Sequence, residues 1–230
     1  MARLNMSRSS PRGSIPATAW ALAVAFTLGG CGGSASSPSA SASTVAMRLS
    51  DFPSGLDKCN FSGSIDSHPG VPDPWGDYKD MTSAWADFQT AGAVEGYYVV
   101  FSNSTAACAQ FGGQTPPSSS RSASPVFLAL NLVVKFKDGA AATADWNNPD
   151  RYFHTSVHND NATNHFVVSS GSETGLGSAS RVATRNSDFE GGIDYVAIWL
   201  NKSIEVELIT FEIDLGDARK AALALNARIV

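Results

Sequence analysis

The sequence has few charged residues and none of the common signatures of enzymes. Asp, Glu, Lys and Arg together make up 16% of its 230 residues, and the basic residues form no cluster or stripe. Nucleic-acid binding needs such a basic surface, so this composition argues against it. The chain also contains no G-x-S-x-G, S-x-x-K, H-E-x-x-H or Walker A motif. No catalytic class is therefore indicated, and we expect no cofactor.

Acidic residues are missing from the first fifty positions, where the longest apolar run of the N-terminal region occurs. Arg3, Arg8 and Arg12 precede this run, which covers residues 17–28, and the first acidic residue is Asp51. A membrane-spanning helix needs about 20 apolar residues, so the run is too short to cross a bilayer. Its length and its basic flank are typical of a secretory signal peptide.

The apolar run ends in Leu28-Gly29-Gly30-Cys31, which resembles the lipobox of bacterial lipoprotein precursors. The resemblance implies a lipidated Cys31, with acyl chains such as palmitate, and cleavage just before this residue. Two or more chains give stable anchoring, at about 0.8 kcal/mol per buried methylene. We therefore expect a lipoprotein on the extracytoplasmic face of the cell membrane, held by its lipid. The alternative is a plain secretory signal with Cys31 as an incidental thiol.

The chain has only three cysteines, Cys31, Cys59 and Cys108. If Cys31 carries lipid, an even pair remains in an oxidising compartment, where structural disulfides form. A Cys59–Cys108 bond would close a loop of about 50 residues and stabilise the fold by about 4 kcal/mol in the chain-entropy model. A redox-active pair is the alternative, but the sequence has no C-x-x-C spacing.

Composition divides the chain into three segments. We predict a signal peptide over residues 1–30, a lipidated flexible linker over 31–48 and a single α+β domain over 49–230. The linker is rich in Gly, Ser and Ala and has no apolar periodicity, as in flexible tethers. After the first thirty residues, 13 basic and 21 acidic residues remain, so the mature net charge is −8.

Apolar patterns in residues 49–230 indicate the α+β class. Between Asp80 and Phe88 the apolar residues recur at i, i+3, i+4 and i+7, which predicts a helix that stops near Gly92. Three further stretches read as a strand followed by an Ala-rich helix, at residues 96–111, 126–146 and 204–229. We predict a largely antiparallel sheet with helices packed on one face, in two layers.

A β-hairpin is the clearest local prediction. Two alternating segments flank a two-residue turn: Ile193–Leu200, Ser203–Thr210 and the turn Asn201-Lys202. The register that follows places Trp199 opposite Ile204. It also places Glu205 and Glu207 on the other face of the hairpin, which we expect to be at least partly solvated.

His154 and His158 are the strongest metal-ligand candidates, and they are weak ones. At spacing i, i+4, two imidazoles would share a helix face and could bind Zn²⁺. However, Pro149 and β-branched Thr155 and Val157 argue against a helix here. We interpret the segment as a solvated polar loop and predict no metal site.

The main functional hypothesis is a membrane-anchored lipoprotein whose domain binds an unknown small molecule or a cell-envelope protein without catalysis. In order of elements, the domain loosely resembles small extracytoplasmic α+β lipoprotein and sensor domains, a resemblance that adds no site residues. One alternative is a carrier of a lipid or other apolar molecule in a sheet-lined cavity, with Tyr97, Phe127, Trp199 and Phe211 as candidate walls. The other is a cell-envelope hydrolase that assembles a Ser/His/Asp site from scattered residues.

Overall fold

A single antiparallel sheet organises the folded part of the chain. The structure, a computed structural model, describes residues 40–67, 71, 80–113, 125–150, 166–185 and 193–230. All of them lie within one compact unit, Ser37–Val230. Eight strands of this unit form one sheet, and each described pair of neighbouring strands is antiparallel. The predicted α+β class and the antiparallel sheet are confirmed.

The sheet combines four long strands with shorter strands at its sides. In chain order the strands are β1 (Asp57–Lys58), β2 (Gly63–Ser64), β3 (Ala93–Ser102), β4 (Leu128–Phe136), β5 (Phe166–Ser170), β6 (Ser180–Arg185), β7 (Ile193–Asn201) and β8 (Ile204–Phe211). Their order across the sheet is β1-β3-β4-β8-β7-β6-β5, and β2 also pairs with β3. Strands β3, β4, β8 and β7 thus form its wide central part.

Five α-helices are present in the described residues. They are α1 (Ala42–Val45), α2 (Met81–Thr90), α3 (Thr105–Phe111), α4 (Gly139–Trp146) and α5 (Leu215–Ala227). Three short 3₁₀ helices accompany them, at Leu49–Asp51, Ile65–Ser67 and Gly171–Thr174. Helices α2 to α5 each begin after an Asp or Ser whose side chain accepts a hydrogen bond from a first-turn N–H, so the sequence encodes these starts locally.

Helices cover both faces of the sheet. Helices α2 and α4 pack over one face, which includes Leu130 and Leu132 of β4. Helices α1 and α5 pack over the other face, which includes Ala129 and Val133 of the same strand. The described part therefore has three layers, and our prediction of helices on one face only is wrong. The reason lies in β4, because its side chains are apolar on both faces and each face must be buried.

Strands β7 and β8 form the predicted hairpin, but their register differs by two residues. Trp199 pairs with Val206 rather than Ile204, and the closing pair is Asn201–Ile204. The turn is therefore Lys202-Ser203, with φ at +57° on Lys202. Because side chains alternate with a period of two, this shift leaves every residue on the face predicted for it.

Glu205 and Glu207 lie on the face predicted for them, but that face is not solvated. Their exposed fractions are 0% and 2%, because helices cover this side of the sheet as well. The alternation of the sequence predicts the orientation of the two side chains. It does not predict how much water reaches them.

The ordered fold begins earlier than predicted. Ala42, Val45 and Met47 are buried against the sheet. The Ala42 backbone N–H donates a hydrogen bond to Glu95 Oε2 (2.9 Å), and the Met47 N–H donates one to Asn131 Oδ1 (2.9 Å). Residues 42–48 therefore belong to the folded unit, and the predicted boundary at residue 49 is too late. This apolar stretch covers part of the sheet but is too short to show a helical period.

Candidate functional site

Cys59 and Cys108 are joined in a disulfide that fastens α3 to the start of the sheet. Their Cα atoms lie 5.4 Å apart, within the usual range for bonded cysteines. Cys59 follows β1 and is 2% exposed, whereas Cys108 lies in α3. This pairing agrees with the sequence prediction.

Several predicted sites lie outside the described residues. Cys31 and the predicted signal peptide precede residue 40, and His154 and His158 fall in the gap at 151–165. Among the described residues, no group of three His, Cys, Asp or Glu side chains could hold a metal ion. No helix in the described ranges combines the length and the hydropathy that crossing a bilayer requires.

The four aromatic residues suggested for a carrier cavity do not line a common space. Trp199 is fully buried and Tyr97 partly buried within the cluster under α1 and α5. Phe211 packs on the opposite face of the sheet, with its ring centroid 6.4 Å from that of Phe111. Phe127 is 36% exposed at the surface. The sheet itself separates Phe211 from Tyr97 and Trp199.

Phe127 lies in a surface groove of about 360 Å³ beside Leu56 and Ile213. The rim of this groove is acidic: Glu212, Asp214 and Asp217. Anionic lipid headgroups would be repelled by such a rim. The groove therefore lends no support to a carrier for acidic lipids.

A second depression, which we call the α5 pocket, has a different chemical character. It has a volume of about 290 Å³ and lies between strands β5, β6 and β7 and the first turns of α5. Its lining combines one cation, one carboxylate, hydroxyl groups and a small apolar wall. The lining includes Glu173, Val182, Thr184, Tyr195, Leu215, Gly216 and Arg219.

Tyr195 forms the base of the α5 pocket. It is 2% exposed, and β7 holds it between Thr184 of β6 and Thr210 of β8. Burial raises the pKa of Tyr195 to about 12, and the charge of Arg219 counteracts a part of this effect. The phenol therefore keeps its proton at physiological pH and can donate a hydrogen bond. Within the described residues, its hydroxyl makes none.

Arg219 and Glu173 bring opposite charges to the α5 pocket, and both are exposed. In the described part of the chain, neither forms an ion pair, with the other or with a third residue. The neighbouring Lys220 differs, because its Nζ lies 2.9 Å from Asp217 Oδ1. Arg219 is thus the cation of α5 that is available to a ligand.

The N-terminal end of α5 is already capped. Asp214 Oδ1 accepts hydrogen bonds from the N–H groups of Gly216 (2.8 Å) and Asp217 (3.3 Å). An anion in the pocket would therefore depend on side-chain donors rather than on free backbone groups of the helix end. Those donors are the guanidinium of Arg219 and the hydroxyl of Tyr195.

Sequence reasoning missed this pocket. Glu173 comes from a 3₁₀ turn, Tyr195 from a strand and Arg219 from the last helix, so no local spacing links them. The only available signal was the alternation of β7, which placed Tyr195 on a buried face.

Comparison with known proteins gives no relative, since no family model, no curated protein and no solved structure matches this chain. The fold and the site thus define a class only, an antiparallel α+β domain with a small charged pocket. Any functional proposal for this chain therefore depends on its own residues.

Proposed function

We propose that this chain is the precursor of a membrane-anchored lipoprotein whose extracytoplasmic domain binds a small polar ligand without transforming it. One observation carries the anchoring part of the proposal, the motif Leu28-Gly29-Gly30-Cys31 at the end of a short apolar run with a basic flank. The binding part is supported by the α5 pocket, whose lining includes two unpaired charges and the side chain of Tyr195.

The spacing between the anchor and the fold suits a tethered domain. Ten residues separate Cys31 from Ala42, the first residue of α1. A flexible chain of this length has a mean reach of about 15–20 Å. The domain would therefore stay close to the membrane and remain free to change its orientation.

The disulfide supports an oxidising location. Cys59 and Cys108 are bonded although they lie 49 positions apart in sequence. Disulfides of this structural kind persist outside the cytoplasm and are rare within it. This agrees with export by the signal peptide and with a location at the cell envelope.

The chemistry of the α5 pocket favours binding over catalysis. An efficient general acid or base has a pKa near the working pH. Burial moves the pKa of Tyr195 to about 12, far above that range, and an arginine keeps its charge at every physiological pH. These two groups therefore hold a ligand rather than exchange protons with it. The cell-envelope hydrolase stays a prediction, because all four histidines lie outside the described residues.

Lipidation of Cys31 can be tested directly in a bacterial host. Cells that produce the full chain are grown with labelled palmitate, fractionated, and the purified protein is weighed by intact-mass spectrometry. We expect label, membrane association and a mass that corresponds to cleavage before Cys31 with added acyl chains. Cys31→Ala should abolish all three, whereas Ser36→Ala, a neutral change in the same linker, should alter none. A native protein that retains residues 1–30 and an unmodified Cys31 would overturn the proposal.

A further inference from the structure

We propose that the α5 pocket is a receptor site for a small zwitterion with a carboxylate and an ammonium group, the chemistry of a free amino acid. This inference rests on the binding role proposed above and names the ligand class. Three side chains from separate elements line this one depression: Glu173, Tyr195 and Arg219.

The anionic half of the ligand is indicated by two donors. Arg219 presents a planar guanidinium that matches a carboxylate with paired N–H groups. Tyr195 adds a hydroxyl from the base of the pocket, on a side chain that is 2% exposed and that makes no hydrogen bond within the described residues. The hydroxyl is not among the fully enclosed atoms that lack a partner, so it reaches the open space of the pocket. A carboxylate oxygen in the pocket could accept a hydrogen bond from it.

The cationic half of the ligand is indicated by Glu173. Its carboxylate lines the same pocket, and no described cation pairs with it. An anion without a positive group would gain from Arg219 but would be repelled by Glu173. A ligand that carries both charges satisfies both side chains, and the hydroxyl of Thr184 offers a further polar contact at the wall.

The size of the pocket restricts the ligand further. A volume of about 290 Å³ lies just below the usual range for small-molecule sites, which is about 300–1,000 Å³. Val182 and Leu215 give the pocket an apolar wall that can accept a short aliphatic side chain. A free amino acid fits within this space.

Calorimetric titration of the purified full chain, with thermal unfolding as a second readout, tests the proposal. The probes are the twenty L-amino acids added singly, then propionate, propylamine and inorganic phosphate. We expect at least one amino acid to bind and to raise the unfolding temperature. Propionate and propylamine each lack one charge, so they should bind about 10-fold more weakly or worse.

Variants of the three side chains separate recognition from stability. Arg219→Met and Glu173→Gln should each weaken binding by about 10- to 100-fold, since each removes a charge-assisted hydrogen bond. Tyr195→Phe should weaken it by about 3- to 10-fold. Lys220→Met is the matched control, because Lys220 is the next residue of the same helix and does not line the pocket; its affinity should equal that of the native chain.

Three outcomes would overturn the ligand class: no amino acid binds, phosphate or propionate binds as tightly as every amino acid, or Lys220→Met weakens binding as much as Arg219→Met. With Cys31 still lipidated, such a result rejects the zwitterion alone. A failure of lipidation with amino-acid binding intact would reject the anchor and leave the pocket assignment in place.

Discussion

Asn131 shows how one polar side chain joins two layers of the fold. It lies on β4 and is 1% exposed, and both ends of its amide are used. Its Oδ1 accepts a hydrogen bond from the Met47 N–H (2.9 Å), and its Nδ2 donates one to the Glu207 carbonyl oxygen (2.7 Å). The side chain therefore fixes the position of the N-terminal segment on the sheet.

Replacement of Asn131 by Ala should lower the free energy of unfolding by about 2–4 kcal/mol, because it leaves a buried N–H and a buried carbonyl without their partner. Urea unfolding followed by circular dichroism measures this change. Asn60→Ala is the control, since Asn60 is exposed, and its effect should stay within about 0.5 kcal/mol. Equal stability of the two variants would contradict the role given to Asn131.

Tyr195 makes the stability of the fold sensitive to alkaline pH. Burial raises the pKa of Tyr195 from 10.0 to about 12 in the folded chain. The unfolded chain loses this proton near pH 10 and the folded chain only near pH 12, so stability falls as pH rises through this interval and is unaffected below it. The full loss is about 3 kcal/mol.

The measurement is a series of urea unfolding curves between pH 9 and pH 12 for the native chain and for Tyr195→Phe. The variant should lose less stability over this range, because it has no phenol at this position to ionise. The phenolate absorbance of the native chain should contain a component near pH 12 that the variant lacks. If both proteins show the same pH dependence, the shifted group is not Tyr195.

At the level of elements, α2 can lie on β3 because Gly96 has no side chain. A methyl group at Gly96 would lie 2.7 Å from Ile65 Cδ1 and 2.9 Å from Trp85 Cζ3. Trp85 is held from its other end, where Nε1 donates a hydrogen bond to Asp66 Oδ1 (2.8 Å). The indole therefore cannot move aside without losing this bond.

Gly96→Ala should consequently lower the free energy of unfolding by about 1–3 kcal/mol through overpacking. Gly139→Ala is the matched control, because a methyl group there would meet only the Lys202 carbonyl oxygen, at an ordinary 3.5 Å. We expect that variant to stay within about 0.5 kcal/mol of the native chain. Thermal unfolding of the two variants, measured side by side, tests whether overpacking at Gly96 lowers the stability.

The elements that could be predicted from sequence are those with local signals. Helix α2 was predicted from its apolar period and its stop near Gly92, and Met81, Ala84, Trp85 and Phe88 are the buried residues of that helix. The hairpin was also predicted, but its turn was assigned one residue too early. Asn is the more common residue at positive φ, whereas here Lys202 takes this conformation. An alternating pattern determines which side chains of a strand lie on the same face. It does not determine which residues of the neighbouring strand they pair with.

At the level of the whole molecule, the Cys59–Cys108 bond closes a loop in the unfolded chain between residues 49 positions apart. With 49 positions between the two cysteines, its loss should cost about 4 kcal/mol in the chain-entropy model. We expect this reduction for the double variant Cys59→Ser/Cys108→Ser in urea unfolding. Native protein treated with a thiol reductant should match the variant, and Cys31→Ala should retain the native value.

The layers and the pocket could not be predicted because they arise from long-range packing. Nothing within β8 distinguishes one covered face from two, since covered Glu205 and Glu207 look like solvated residues in an alternating sequence. The pocket has the same origin, because Glu173 and Arg219 become neighbours of Tyr195 only after the sheet and α5 are assembled. Contacts between residues that are far apart in sequence produce no recognisable spacing of residue types within a local motif.

The docking of residues 42–47 has a mechanical consequence for a chain tethered at Cys31. This segment is held on the long strands β3 and β4 through Glu95 and Asn131, rather than on an outer strand. Tension in the tether would therefore first detach residues 42–47, which cover Val99 and Val133. The hydrogen bonds between the strands of the sheet would remain intact. We expect the segment to dock again when the pull ends, because the sheet that receives it would still be paired.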